Sequence, residues 1–342
     1  MHDPPRILHT PTNTANNPFN LSRAERELGL VSDVVDFMPA PGFEYQADVI
    51  RDLSGKPLPM HAAVRGSFLV KAMARYDVFH FNFGQALFPL RARGRVFTEL
   101  AMLKRLGKRV LVTFQGCDVR PKAQCGCTLA ACAARDAWRA PNAAAMLRHA
   151  DRAFYLNPDL RRYLPGASFL PYANVDVRAV EPAPPPGGDE VVIVHAPTDR
   201  DVKGTSHVIA AVDALRGDGL PVRLDLVEGV SHAEALARMA AADVVVDQLV
   251  LGWYGGVSVE AMALGRPVVS RIEEAEPGDN PFGDRLPITR ADASTIAARL
   301  RELVVDRDRR ERLGAEGRAF ALAEHDPRRI ARRVLDGLVP LP

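Results

Sequence analysis

Two cations stand three residues apart in the polar segment that follows the apolar run Val191–His195. They are Arg200 and Lys203, and a predicted helix begins directly after them. Cations beside a helix N-terminus bind a diphosphate well, because their charges act together with the free N–H groups of the first turn. In the alternative reading, both cations pair with Asp199 and Asp201 on a solvated loop. The spacing alone leaves both readings open.

A second polar segment follows the predicted strand Asp243–Asp247 and leads into the predicted helix Val257–Leu264. Its glycines expose backbone N–H groups to phosphate or sugar oxygens, and Glu260 lies one turn into the helix. A carboxylate there can accept hydrogen bonds from two ribose hydroxyls. We expect the ligand to contact this segment at Trp253, Tyr254, Gly255, Gly256 and Val257. The alternative makes Glu260 a plain helix-dipole residue and the two aromatic residues part of the core.

These two segments together resemble the donor-binding half of GT-B glycosyltransferases, in particular the retaining family 4. The family pattern E-G-F-G-x-P-x-x-E-A-M-A-x-G-x-P is matched without a gap by Gly252-Trp-Tyr-Gly-Gly-Val-Ser-Val-Glu260-Ala-Met-Ala-Leu-Gly-Arg-Pro267. Lys203-Gly204 matches the family's K-G pair. The resemblance implies that Glu260 holds the nucleotide ribose and that Lys203, helped by Arg200, binds the donor phosphates.

Two departures from the family pattern matter for the site. Gly252 replaces the glutamate that contacts the donor sugar in the family. Arg200 lies three residues before the lysine instead of five, and Thr198 occupies the usual arginine position. The long arginine side chain can still reach a phosphate. Asp247 and Gln248, at the end of the preceding strand, are candidates to replace the lost glutamate contact.

The first half of the chain resembles the acceptor domain of these enzymes more loosely. Gln115-Gly116-Cys117-Asp118 stands where the family often has H-G-x-D. Gln115 can donate a hydrogen bond to a donor oxygen, but an amide cannot act as a general base. Asn13, Asn16 and Asn17 follow the first predicted strand and could contact donor phosphate or acceptor. Alternatively, these asparagines only form a turn beside Pro18.

Apolar runs of strand length alternate with amphipathic helical patterns through most of the 342 residues. This alternation predicts parallel sheets covered on both faces, hence an α/β protein. The segments Phe97–Leu106, 292–305 and 308–323 have the patterns of helices.

The length and the proline-rich run Glu181–Gly188 predict two domains joined by a linker. We expect an N-terminal Rossmann-like acceptor domain over 1–172, a linker over 173–189, and a Rossmann-like nucleotide-sugar domain over 190–323. The helical segment 324–342 could pack back on the first domain. In a GT-B protein the two parallel sheets face each other across an interdomain cleft.

The net charge of +2 is the sum of two opposite halves. Residues 1–172 hold 23 Lys/Arg and 14 Asp/Glu, whereas the remainder holds 21 and 28, so the halves carry +9 and −7. We expect no nucleic-acid partner. The basic half is compatible with an anionic glycan or with a lipid-linked acceptor at a membrane surface. No signal peptide or membrane span is recognisable, which predicts a cytoplasmic protein, membrane-associated at most. The oligomeric state stays open.

No cofactor or metal is expected from the sequence. The chain has neither a G-x-G-x-x-G turn after its first strand nor a P-loop, and Asp199-Arg-Asp201 matches the loose D-x-D metal pattern no better than it matches ion pairing. Four cysteines cluster at Cys117, Cys125, Cys127 and Cys132. Reduced structural thiols are the favoured reading, with a zinc site or a disulfide as alternatives.

The function expected from these patterns is transfer of a hexose from a UDP- or GDP-sugar to a hydroxyl of a glycan, lipid-linked or small-molecule acceptor. The resemblance implies a retaining reaction, with a place in polysaccharide biosynthesis. A sugar-nucleotide-binding protein without transferase activity is the main alternative, since Gly252 and Gln115 replace family residues. A two-lobed periplasmic binding protein or a GT-B epimerase would also consist of two α/β domains.

Overall fold

The computed structural model describes residues 4–39, 45–125, 130–274 and 278–339. The chain divides into two compact units. The first contains residues 1–124, 130–174 and 327–342, and the second contains residues 175–326. Within the described ranges, no helix combines the length and the apolar character that a membrane span needs.

The first unit is built on a seven-stranded parallel sheet in the order β3-β2-β1-β4-β7-β8-β9, with β5 and β6 forming a separate antiparallel hairpin. The central strands are buried, as parallel strands covered by helices on both faces must be. The strands are Arg6–Thr10 (β1), Val31–Asp36 (β2), Val49–Ile50 (β3), Val78–Asn82 (β4), Leu90–Ala92 (β5), Arg95–Phe97 (β6), Arg109–Phe114 (β7), Arg152–Tyr155 (β8) and Ser168–Phe169 (β9).

Five helices before residue 150 belong to this unit, and the last helix of the chain returns to it. They are Asn17–Glu27 (α1), Leu58–Arg75 (α2), Leu100–Arg105 (α3), Lys122–Cys125 (α4) and Ala130–Leu147 (α5). The returning helix, Pro327–Leu335, is α12. It is held by an ion pair between Arg328 and Glu27 of α1, and Arg152 donates to the carbonyl of Arg333 at 3.0 Å.

The second unit contains a five-stranded parallel sheet in the order β11-β10-β12-β13-β14. Valine and isoleucine dominate its strands, and the core under them is apolar. The strands are Val191–His195 (β10), Val222–Leu226 (β11), Val244–Val246 (β12), Val268–Ser270 (β13) and Ile288–Arg290 (β14). The helices are Arg200–Lys203 (α6), Thr205–Gly217 (α7), His232–Ala240 (α8), Gly256–Ala263 (α9), Ile296–Val305 (α10) and Arg307–Glu324 (α11).

The two parallel α/β sheets predicted from the sequence are present, but two helix boundaries were predicted wrongly. The segment predicted as a helix from Phe97 to Leu106 begins as strand β6, and its helix starts only at Leu100. The Glu99 carboxylate accepts the backbone N–H of Leu87 at 2.6 Å and so ties this segment to a loop. The helix predicted from residue 292 begins at Ile296, because the Asp292 side chain accepts backbone N–H groups and forms a turn.

Candidate functional site

The polar residues of the candidate site lie where the strand order of the second sheet reverses direction. Strand β10 lies between β11 and β12. The loops after β10 and β12 therefore leave the carboxyl edge of the sheet side by side. In open α/β sheets this crevice is where ligands bind. Residues 196–203 follow β10, and residues 247–255 follow β12.

Lys203 and Asp247 form a buried ion pair at this edge. The Lys203 Nζ lies 2.5 Å from Asp247 Oδ1 and donates to Gln248 Oε1 at 2.9 Å. The side chains of the lysine and the aspartate are 10% and 0% exposed. Burial raises the pKa of the Asp247 carboxyl. The charge of Lys203 and three hydrogen-bond donors lower it by more than burial raises it, so the pKa lies below its ordinary value. Asp247 is therefore an anion that fixes the lysine.

Asp247 also orders the N-terminus of helix α9. Its Oδ2 accepts the backbone N–H of Gly255 at 2.5 Å and the hydroxyl of Ser258 at 2.7 Å. A Cβ at Gly255 would stand 3.1 Å from Lys203 Nζ and 3.2 Å from Asp247 Oδ2. The absence of a side chain at 255 thus lets the positive end of the helix approach the lysine ammonium group. The two positive features together favour an anion.

Glu260 lies in the same helix, one turn after Gly256, and is bonded to a histidine that the sequence patterns did not single out. Its Oε1 is 2.9 Å from His232 Nε2 at the start of α8. This hydrogen bond raises the pKa of His232 above its ordinary 6.5 against the opposing effect of burial. The Glu260 side chain is 11% exposed and that of His232 is 38% exposed. A hydroxyl ligand of Glu260 would share the carboxylate with the His232 imidazole.

Arg200 does not pair with the neighbouring acids that the sequence offered. Its guanidinium binds Glu228 through Nε at 2.8 Å and Nη2 at 2.5 Å. Asp199 instead caps α6, since its Oδ1 accepts the N–H groups of Asp201 and Val202 at 3.0 Å each. Thr198 is exposed on the same loop. The solvated-loop reading of Asp199 and Asp201 as partners of both cations is therefore wrong, since Lys203 and Arg200 pair with other acids and Asp199 caps α6.

The side chains of Trp253 and Tyr254 pack in the interior of the unit. They are 2% and 0% exposed, and Trp253 stacks on Phe282 with ring centroids 6.3 Å apart. The Tyr254 hydroxyl lies 3.0 Å from His325 Nε2. A ligand at this segment can meet the backbone and the half-buried Val257, whereas the aromatic rings serve the core as the alternative reading held.

Gly252, which stands at the position of the missing glutamate, lies directly against Glu273. A Cβ built on Gly252 would be 2.6 Å from Glu273 Cβ and 2.8 Å from its Oε2. The backbone N–H of Glu273 also donates to the Gly252 carbonyl at 2.9 Å. The two expected substitutes, Asp247 and Gln248, are engaged in holding Lys203. Glu273 is therefore the carboxylate that occupies the space of a side chain at 252.

In the first unit, the three asparagines after β1 bond to one another and to the backbone of two other chain segments. Asn13 Nδ2 donates to Asn16 Oδ1 at 2.9 Å and to the Gln46 carbonyl at 2.6 Å. Asn16 Oδ1 also accepts the N–H of Gln46 at 3.1 Å. Asn17 Oδ1 accepts the N–H of Ala173 at 2.7 Å. These hydrogen bonds tie the loop after β1 to residues 46 and 173, which a local turn alone does not require.

Gln115 follows β7 and keeps its amide nitrogen available. The residue is 9% exposed, and within the described ranges its Nε2 has no hydrogen-bond acceptor. Its backbone N–H is held by Asp118 Oδ2 at 3.0 Å. A buried donor without an acceptor costs about 1–3 kcal/mol, so a ligand oxygen there would be stabilising. A cavity of about 340 Å³ lies beside this turn, lined by residues that include Gly84, Arg91, Asp118, Trp138 and Asn142.

One group of side chains among the described residues has the composition of a metal site. The Sγ atoms of Cys117, Cys125 and Cys132 all lie within 4.8 Å of one another. Cys127 lies outside the described residues.

Neither the family comparison nor the search of curated proteins finds a match for this chain. Solved structures do resemble it. The sucrose-phosphate synthase of Thermosynechococcus elongatus has a TM-score of 0.65 at 18% identity, covering 96% of this chain and 97% of that one. Anabaena HepE, solved in complex with UDP-glucose, has a TM-score of 0.65 at 13% identity, covering 98% and 99%. A glycosyltransferase from Rickettsia africae reaches 0.62 at 10% identity, covering 98% and 100%.

The fold is GT-B. Identities this low show a shared fold only, so the GT-B fold does not by itself assign the reaction, the acceptor or the nucleotide.

Sequence reasoning missed His232 and Glu273. His232 is visible in the sequence only as the residue after the helix cap Ser231, and nothing in the local pattern connects it to Glu260. Glu273 left a weak signal, since it lies shortly after the carboxyl end of β13, the edge at which ligands of parallel sheets bind. Its proximity to Gly252 depends on tertiary packing.

Proposed function

We propose that this protein is a GT-B glycosyltransferase that transfers a sugar from a nucleotide diphosphate sugar to a hydroxyl acceptor. The observation that carries the proposal is the buried Lys203 ammonium group beside the N-terminus of α9, held by Asp247 next to Gly255. Charge on the departing diphosphate must be neutralised when the glycosidic bond breaks, and a preorganised cation does this at low reorganisation cost. Glu260 would hold the ribose, and no metal or cofactor is required by this scheme.

The remaining roles follow from chemistry at the same edge. Arg200 is exposed and could leave Glu228 for a phosphate, since exposed ion pairs are weak. Gln115 Nε2 would donate to a donor oxygen. UDP and GDP are both compatible with a carboxylate that reads only the ribose, and retention of configuration rests on the family 4 resemblance.

The first experiment replaces Lys203. A Lys203→Ala variant leaves the Asp247 anion buried without a partner, at a cost of about 3–5 kcal/mol of stability. The double variant Lys203→Ala/Asp247→Asn removes both charges and separates folding from binding. We expect both variants to lose about tenfold or more of their affinity for UDP or GDP in calorimetry, together with most turnover of sugar donors.

The matched control is Arg223→Ala. It removes an exposed arginine of strand β11, in the same unit, that is paired with Glu190. It should bind nucleotide normally. Full donor affinity and turnover in the Lys203 variants would contradict the proposal. Nucleotide-sugar binding by the wild type without hydrolysis or transfer, over a panel of UDP-, GDP- and ADP-sugars, would favour the alternative of a non-catalytic binding protein.

A second experiment concerns the donor sugar and Glu273. Because Glu273 occupies the space of a side chain at 252, we propose that it replaces the absent glutamate in contacting the sugar hydroxyls. A Glu273→Gln variant should bind UDP or GDP as tightly as the wild type but bind the nucleotide sugar about tenfold more weakly. The neighbouring Glu274→Gln variant, which loses an ion pair with Arg290, is the control and should change neither affinity. Equal losses for nucleotide and nucleotide sugar would remove Glu273 from the sugar subsite.

A further inference from the structure

The four cysteines of the chain all lie between residues 117 and 132, and three of them converge in space. Cys117 follows the Gln115–Gly116 turn, Cys125 ends α4, and Cys132 lies in the first turn of α5. Cys125 and Cys132 are buried, and Cys117 is half-buried. Four-coordinate zinc with Zn–S bonds near 2.3 Å places its sulfur ligands about 3.8 Å apart. The three Sγ atoms, within 4.8 Å of one another, need only small adjustments to reach that arrangement.

A buried arginine, Arg139, which also pairs with Asp136, contacts two of the three cysteines. Three thiolates around Zn²⁺ leave a net negative charge, and a fourth thiolate increases it. Arg139 is 4% exposed and donates Nη2 to Cys132 Sγ at 2.7 Å, while its Nε donates to the Cys117 carbonyl at 2.9 Å.

A disulfide explains these contacts less well. Each S–S bond joins only two sulfurs at about 2.05 Å, which leaves the third sulfur of the group without a covalent role. Deprotonated cysteine is the form that binds metals, and the Arg139 guanidinium donates a hydrogen bond to Cys132 Sγ. Soft thiolate ligands select zinc over magnesium or calcium.

We propose that Cys117, Cys125 and Cys132 bind a structural zinc ion. The ion would join the turn after β7 to α4 and to the start of α5. Helix α5 carries Trp138 and Asn142, which line the cavity of the first unit, so the zinc would fix one wall of that cavity. This inference does not depend on the proposed transferase activity.

The test measures metal in the full-length protein purified without chelators. Mass spectrometry of the metals should find about one zinc and no stoichiometric iron per chain. Replacing zinc with Co²⁺ should produce thiolate-to-cobalt charge-transfer absorption and the visible bands of tetrahedral cobalt. The variants Cys125→Ser and Cys132→Ser should lose zinc, whereas the control His149→Ala, which removes a histidine after the end of α5, should retain it.

A second measurement on the wild type guards against variants that fail to fold. The thiols should react slowly with a disulfide reagent until a strong chelator is added, with zinc released as they react. The absence of zinc together with no uptake of added Zn²⁺ or Co²⁺ overturns the proposal. Iron with acid-labile sulfide in place of zinc, or thiols that appear only after reduction, overturns it as well.

Discussion

At the scale of single residues, the most informative feature is that each charged group of the candidate site already has a partner. Lys203 is held by Asp247, Arg200 by Glu228, and Glu260 by His232. The sequence identified the residue types and their order along the chain, because the spacing of the glycine segment and of Lys203-Gly204 is local. It could not identify the partners, since Glu228 and His232 come from other loops. The partners determine which cation is fixed and which can move.

The pairing of His232 with Glu260 leads to a prediction about pH. Since the hydrogen bond raises the folded-state pKa of His232 above 6.5, the pair stabilises the protein fully below pH 6.5. That stabilisation is lost as the pH rises through the folded-state pKa. We expect His232 to titrate above 6.5 in NMR spectra of the wild type, and to titrate near or below 6.5 in Glu260→Gln.

The control for this titration is Glu234→Gln. It removes a carboxylate of α8, the helix of His232, that is bonded to Arg238. The His232 titration should be unchanged in that variant. A wild-type pKa at or below 6.5, or identical titrations in the wild type and Glu260→Gln, would show that the two side chains do not interact in solution.

At the scale of elements, the parallel strands were readable from the sequence and several helices were not. Runs such as Val191–His195 and Val244–Val246 are apolar throughout, which is typical of strands buried on both faces. Helix α5 begins in the cysteine segment, and its pattern is interrupted by Pro141. Strand β6 was absorbed into a helix prediction because Phe97 continues the apolar spacing of α3. Local patterns miss contacts such as the one from Glu99 to Leu87.

The packing of α11 against the turn after α9 predicts a large effect of one methyl group. A Cβ at Gly314 would lie 2.2 Å from the carbonyl oxygen of Gly265, which is a backbone atom that cannot move aside easily. We expect Gly314→Ala to destabilise the protein by about 1–3 kcal/mol in urea unfolding. Gly217→Ala, in α7, is the control, because a Cβ there has nothing within 4 Å. That variant should be neutral or more stable by up to about 1 kcal/mol. Equal stabilities of the two variants would show that the helix and the turn do not pack this closely.

At the scale of the whole molecule, the opposite charges of the two halves coincide with two different sheets. The second unit holds the candidate anion site although its half of the chain is acidic, so Lys203 and the N-terminus of α9 must attract phosphate against their surroundings. The sequence predicted this division of charge and the two parallel sheets. It left open which surface of the basic half meets a partner, because surface position depends on the fold.

The hairpin of β5 and β6 is the part of the basic unit best suited to a membrane surface. Leu90 and Phe97 are directly opposite each other across the hairpin and are 66% and 54% exposed. Its turn contains Arg93 and Gly94 with φ of 49° and 71°, and Arg95 follows. Exposed apolar side chains flanked by arginines favour the surface of an anionic bilayer, where each basic residue contributes about 1 kcal/mol.

We therefore expect the full-length protein to sediment with vesicles of phosphatidylcholine and phosphatidylglycerol at low salt, and not with phosphatidylcholine alone. The variant Arg93→Glu/Arg95→Glu should weaken this binding about tenfold or more, since it replaces two attractive charges with repulsive ones. The control Arg307→Glu/Arg312→Glu changes the net charge equally on α11 of the other unit, where both arginines are exposed. If both double variants weakened binding equally, net charge alone would explain the attraction. If salt did not weaken the binding of the wild type, electrostatic attraction to the basic half would be excluded, because screened charges cannot hold a protein at a surface at high ionic strength.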